Sequence, residues 1–470
     1  MFIKLLKQNV LIKRFRFIST INYDSNKIVR GSTKFEKVVK SSAYVDKSMF
    51  IKDFIESTDD VSLITAPAGF CKSTNLDMLK SFLEIKYDEY GQLIDQESTE
   101  IYKIFSDSNP YNLALVENEK EFTRNHFGKY PILQFDFSNV YGDNNDEILD
   151  GIRTALCKAF LQHNYLFKCG SLDSYEKNLM NKYIAEYEQL NINDIKNGLY
   201  FLSYFLGTHF GEKVLVFIDG YDSPIDKSIK SKNLKVAEMI KLIDSMLYVC
   251  MYDNENIEKG LITGVSSILR ASESSVFNNV SEYKFLHNHK FTKYYGFTQH
   301  EVDDLVLRFG VKKEEKENVK TWYNGYIAQT ENENEFLNIY NAWSVISFLK
   351  NKQFESYWMN NEPIGNIMNM LEVDFIRNEL KKLNFLTNKL EFKMLKDLSI
   401  KNLEDLQSLL IHPNKDIPDH YFKQLFFTYF FELGCLTWCE KENVFKYPNQ
   451  DIKSEVAKAV LEHFLQSLKL

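Results

Sequence analysis

Cysteine, proline and glycine are all scarce in this chain. Six cysteines in 470 residues, at positions 71, 157, 169, 250, 435 and 439, form no paired spacing, which excludes a disulfide framework of the secreted kind and reads as free thiols in a reducing compartment. Eight prolines and 18 glycines leave few places for a flexible linker and exclude collagen-like repeats. No apolar run approaches the roughly 18 residues that a membrane helix requires. The most hydrophobic run, Val214 to Ile218, ends at Asp219, so the chain reads as soluble, with no membrane span. An excess of basic charge is missing too. With 57 Lys and Arg against 65 Asp and Glu, the formal charge is -8, which disfavours a nucleic-acid binder coated in basic surface, a local patch apart. What is present is an ordinary globular composition, 44% hydrophobic and 26% charged, sufficient for more than one domain and incompatible with general disorder.

Acidic residues are absent before Asp24, where Lys4, Lys7, Lys13, Arg14 and Arg16 alternate with Phe2, Leu5, Leu6, Val10, Phe15 and Phe17. Residues 1–29 therefore resemble a mitochondrial presequence, with a basic arm of the fold as the competing reading. A secretory signal fits less well, because Lys7 and Lys13 to Arg16 interrupt any apolar stretch. Without the five basic residues, 52 cations against 65 acids leave a charge of -13. The expected location is mitochondrial, and otherwise cytoplasmic.

Short runs rich in Val, Ile and Phe recur between helix-period segments: Val61 to Thr65, Tyr130 to Phe137, Val214 to Asp219 and Gly260 to Gly264. That rhythm predicts an α/β domain around a buried, largely parallel sheet. After about residue 295 the strand signals fade. A capping box is read at Thr298 and Glu301, and apolar stripes follow at Trp343, Val345, Ile346 and Leu349 and at Phe422, Leu425, Phe426, Tyr429 and Phe430. The organisation expected is an α/β domain over 30–295 and a mainly helical domain over 296–470.

The run Leu63 to Thr74 has the outline of a phosphate loop: a buried strand, a turn through Gly69, Phe70 and Cys71, then Lys72-Ser73-Thr74 opening a helix. In such loops backbone N–H groups and the helix N-terminus cradle phosphates, the lysine neutralises their oxygens, and the hydroxyl helps to hold Mg²⁺. The full pattern wants glycine at positions 66 and 71, where this chain has Ala66 and Cys71. A second element is the strand ending at Asp219, the placement that lets an aspartate hold Mg²⁺ in P-loop ATPases. The water-polarising glutamate expected next is replaced by Gly220.

On these residues the chain resembles the AAA-ATPase-like family, which pairs a P-loop ATPase domain with a helical region and often a PD-(D/E)xK nuclease-like domain. The matches run in order through Tyr44-Val45-Asp46-Lys47-Ser48, Phe70, Lys72-Ser73, Tyr130-Pro131, Ile218-Asp219, Tyr221-Asp222-Ser223-Pro224, Thr263-Gly264, Tyr295-Gly296-Phe297-Thr298, Trp322 to Tyr326, Tyr340 to Ser344 and Tyr357-Trp358. The resemblance covers about 35 to 455 and implies an ASCE/AAA-like P-loop NTPase fold. It also implies ATP and Mg²⁺ as cofactors, with Gly69 to Thr74 around the nucleotide and Ser73 and Asp219 at the metal. The family's loop usually reads Arg-Pro-Arg-Arg-Phe-Gly-Lys-Ser, so three basic side chains and the glycine before the lysine are lost here, as is the glutamate after Asp219. Asp222 and Arg270 stand as the remaining catalytic candidates, the first as a substitute carboxylate and the second as a γ-phosphate sensor. No nuclease domain is expected, since Glu391-Phe392-Lys393 has no upstream Pro-Asp.

Smaller constellations carry less. His287-x-His289 has no third ligand nearby in sequence, Cys435 and Cys439 read as core thiols, and Trp322, Trp343 and Trp358 read as core anchors rather than base-stacking platforms. The function expected is ATP binding with weak or absent hydrolysis. The alternative is a non-catalytic scaffold acting through an unidentified protein partner.

Overall fold

The four apolar runs are strands in the computed structural model, which describes residues 27–106, 110–268, 278–287, 290–329, 336–358, 370–412, 419–439 and 443–467. They are β1 (Val61–Thr65), β2 (Ile132–Asp136), β3 (Val214–Asp219) and β4 (Ile257–Gly264), and a fifth, β5 (Val280–Tyr283), completes the sheet. The order is β2-β3-β4-β1-β5, and every pairing is parallel. β1 and β3 are buried along their whole length, as expected of parallel strands covered on both faces, and this is why they read as unbroken apolar runs. The edge strand β5 buries only Val280 fully, so no apolar run announces it.

Helices fill the crossovers. Lys72–Leu83 follows β1, Asn145–Gln162 and Ile192–Phe210 lie between β2 and β3, and Ser223–Lys230 and Val236–Met251 lie between β3 and β4. The Ile192–Phe210 helix shows how local sequence sets these bounds. Asn191 and Asp194 form a reciprocal capping box at its start, and Gly211 ends it in the left-handed region.

Beyond β5 the chain is mainly helical, and the capping box read at Thr298 and Glu301 is formed at the start of Gln299–Arg308. Two small sheets were not anticipated. One joins β6 (Phe297–Thr298), β7 (Tyr326–Gln329) and β8 (Phe336–Tyr340); the other joins β9 (Leu390–Glu391), β10 (Thr437–Trp438) and β11 (Val444–Lys446). Strands of two to five residues are too short to show a period in the sequence.

Apolar packing crosses residue 295 in both directions. Leu371, Leu406, Phe426 and Phe430 share the cluster of the main sheet. Conversely Ile28, Ala43 and Val45, from the segment before β1, pack with Val302, Leu305, Val345 and Phe348. Lys47 ties the same two regions: buried, it donates to Glu301 Oε1 at 2.7 Å and to the Lys293 carbonyl at 2.7 Å. Its neighbour Asp46 accepts from the Ala114 amide at 2.7 Å. The Tyr44 to Ser48 motif thus has a structural task.

Candidate functional site

Because all five strands run the same way, the carboxyl ends of β1, β3 and β4 open on one edge of the sheet, the edge where α/β folds bind ligands. A cavity of about 780 Å³ lies there, and Lys72, Ser73, Thr74, Asp219 and Asp222 line it. The loop from Ala66 to Cys71 leaves β1 and turns through Gly69, at φ 83°, and Cys71, at φ 66°. Glycine is needed at 69 on two counts, the positive φ and the absence of room: a Cβ there would stand 2.6 Å from Asn341 Oδ1. Cys71 carries a side chain in a left-handed conformation that costs about 1 kcal/mol for a residue other than glycine. Burial pushes its thiol up to about 11.

At the start of the Lys72–Leu83 helix the Cys71 side chain makes no capping hydrogen bond, and the first N–H groups of a helix find no acceptor within the helix itself. Lys72 folds back on the loop, Nζ donating to the carbonyls of Ala66 at 2.5 Å and Pro67 at 2.9 Å. Burial lowers its pKa, an effect opposed by the carboxylates of Asp222 and Asp219.

Across the cavity Asp219 ends β3, and Thr263 Oγ1 on β4 donates to its Oδ1 at 2.6 Å. Asp222 Oδ2 accepts from the amides of Val265 at 2.9 Å and Ser266 at 2.6 Å. Burial raises its carboxyl to about 6 against the pull of those amides. One oxygen of this candidate base is therefore occupied in holding the chain after β4. Gly220, between the two aspartates, has φ 61°, and a Cβ there would lie 2.5 Å from Ser138 Oγ. A glutamate restored at this position meets both obstacles.

The remaining walls come from distant segments. Arg30 lies before β1 and Trp343 on the Ala342–Asn351 helix; both line the cavity, with the guanidinium carbon 5.4 Å from the ring centroid. Lys227 extends the lining along Ser223–Lys230, its Nζ 4.9 Å from the Tyr141 ring centroid.

The structure brings Gly69, Cys71, Lys72, Ser73, Thr74, Asp219 and Asp222 together around this one cavity. The Phe70 side chain is fully buried against Phe285 and Tyr326, at centroid distances of 4.7 and 5.1 Å, so the ring anchors the loop and a part for Phe70 in binding falls to its backbone N–H. Arg270, His289 and the basic segment 1–26 lie outside the described residues. Among the described residues no group of three His, Cys, Asp or Glu is placed to hold a metal. The oxygen donors Ser73 and Asp219 on one cavity suit Mg²⁺, which binds through one or two protein oxygens, phosphates and water. Sequence reasoning missed Arg30, Ser138 and Lys227 altogether, because nothing local marks them. Trp343 stands in the Tyr340 to Ser344 motif, where its apolar stripe reads as core.

A parallel sheet in this order, with the loop and lysine after β1 and an aspartate ending β3, defines the P-loop ATPase fold. More particularly, the chain belongs to the AAA-ATPase-like family: the family model described as a predicted AAA-ATPase matches residues 30–274, a little over half of it. No curated protein sequence matches the chain. Among solved structures it is similar to the Walker-type ATPase of Pyrococcus abyssi, at 12% identity and TM-score 0.46, over 93% of this chain and 100% of that one. It is also similar to the Aeropyrum pernix ORC2 protein, in ADPNP and ADP complexes, at 11% identity and TM-score 0.37, over 93% of this chain and 94% of that one. Among the described residues no helix is long and apolar enough to cross a membrane.

Proposed function

We propose that this AAA-ATPase-like chain binds a purine nucleoside triphosphate with Mg²⁺ in the cavity at the carboxyl ends of β1, β3 and β4, and hydrolyses it slowly or not at all. The observation that carries this reading is the convergence of Lys72, Ser73 and Asp219 on one cavity of nucleotide size. In this reading the loop amides and the uncapped helix start take the phosphates. Lys72 turns its ammonium from the Ala66 and Pro67 carbonyls to a phosphate oxygen, and Ser73 and Asp219 hold the metal, which supplies charge neutralisation of the phosphates. Slow turnover follows from Gly220, which offers no carboxylate to orient water, and from Asp222, whose Oδ2 is already bonded to two amides.

A second reading, a scaffold that works without turnover through a protein partner, is favoured by the Cys71 side chain at φ 66° and by the engaged Lys72 ammonium. Thermal melting separates the two. Under the first, millimolar ATP with Mg²⁺ stabilises the chain by about 2.7 kcal/mol when the ligand stands at 100 times its Kd. An unchanged melting temperature favours the scaffold.

A further inference from the structure

Two side-chain donors converge on one carbonyl of the loop: Asn341 Nδ2 at 2.9 Å and Trp358 Nε1 at 3.0 Å both donate to Ala68 O. Both side chains trace back to a single buried carboxylate, Asp451, on the Gln450–Ser467 helix. Its Oδ1 accepts from the amides of Tyr357 at 3.0 Å and Trp358 at 3.3 Å, and its Oδ2 from Ser344 Oγ at 2.6 Å. The Ser344 amide in turn donates to Asn341 Oδ1 at 3.1 Å. The next two loop carbonyls are also held from beyond β5, Gly69 O by the Trp343 amide at 3.2 Å and Phe70 O by the Gly296 amide at 3.1 Å.

Peptide planarity gives these bonds a consequence. A carbonyl and the following N–H belong to one rigid plane, so fixing Ala68 O, Gly69 O and Phe70 O also fixes the directions of the Gly69, Phe70 and Cys71 N–H groups. Ala68 O, with two donors on its two lone pairs, is the most constrained of the three. The N–H groups so aimed belong to the stretch that would cradle a phosphate.

We infer that Asp451 is a positioning residue for this loop. Through Trp358 and Asn341 it sets the Ala68–Gly69 peptide plane, and it thereby links nucleotide affinity to the docking of the Gln450–Ser467 helix. The inference rests on the nucleotide reading of the cavity. The link is reciprocal, so a ligand that tightens on the loop also tightens the helix. A merely structural Asp451 would stabilise the whole chain without singling out the loop.

Two variants test this with little disturbance of packing: Asp451→Asn keeps the shape and one acceptor oxygen, and Trp358→Phe keeps a ring while removing the Nε1–H. Hydrogen exchange of the loop amides over 69–74, in the unliganded chain, is expected to quicken at least tenfold in each variant, with the amides of β3 unchanged. Affinity for a non-hydrolysable ATP analogue with Mg²⁺, by calorimetry, is expected to fall about five- to tenfold in each and no further in the double variant, because both act through one carbonyl. Unchanged loop exchange, exchange that quickens equally in β3, or affinity losses that multiply would overturn the inference. If Asp451→Asn fails to fold, Ser344→Ala takes its place with the same expectations. If the unsubstituted chain binds no analogue, the reading of the cavity fails and the affinity link with it, and loop exchange alone then decides whether Asp451 holds the loop.

Discussion

Gly220 and Cys71 bracket the chemistry of the cavity, and both have positive φ. At Gly220 any side chain meets left-handed strain and the Ser138 hydroxyl, which is exposed and can rotate away. Gly220→Ala is therefore expected to cost about 1–2 kcal/mol in chemical denaturation. Gly220→Glu should lose a similar amount, so any gain in ATP turnover has to be read beside that loss. A gain in turnover with no loss of stability would show that the strand exit relaxes. At Cys71 the balance differs: Cys71→Gly relieves about 1 kcal/mol of strain and gives back a similar amount in chain entropy. Stability then stays nearly level, and a change in nucleotide affinity reports the loop.

Glu432 carries the clearest pH signature. Burial raises its carboxyl to about 7, with Lys284 opposing and Asp222 adding to the shift, and its buried Oε2 has no hydrogen-bond partner among the described residues. A folded pKa above the ordinary 4.5 means that the native state holds the proton more tightly. The resulting stability is full below about pH 4.5 and is lost as pH rises through about 7. Glu432→Gln should remove this dependence, gaining up to about 3 kcal/mol over the parent at pH 8 and little at pH 4.5. An equal gain at both pH values would contradict the assignment.

Among the elements, the strand-loop-helix around Lys72 was the most legible. β1 is a buried parallel strand and the Lys-Ser dipeptide follows at motif spacing, so composition and order sufficed. β3 with Asp219 was legible for the same reason. What holds the loop in place was not, since Asn341 and Trp358 stand 273 and 290 residues from Ala68 and look like any helix cap and any core tryptophan. Phe70 illustrates the gap: its motif position gives no sign that the ring fills an aromatic nest with Phe285 and Tyr326. Phe70→Ala is expected to destabilise by about 3–5 kcal/mol. Phe70→Leu should retain most of the stability and leave nucleotide binding nearly unchanged. A large affinity loss in Phe70→Leu at preserved stability would show that the ring itself contacts the ligand.

Across the whole molecule, the segment before β1 and the helical region beyond β5 close over the sheet edge from opposite ends of the sequence. Arg30 comes from one and Trp343 from the other, and both reach the cavity that Lys72 and Asp219 line. Such an enclosure is invisible to motif reading, because its members share no local pattern. The central claim is that this cavity takes a nucleotide with Mg²⁺ through the lysine and the aspartate. Isothermal titration of the chain with a non-hydrolysable ATP analogue and Mg²⁺, alongside Lys72→Ala, tests it most directly. The account predicts saturable one-site binding to the parent chain and a loss of at least tenfold in Lys72→Ala. Equal affinity in the two proteins, or no heat in either, would contradict it.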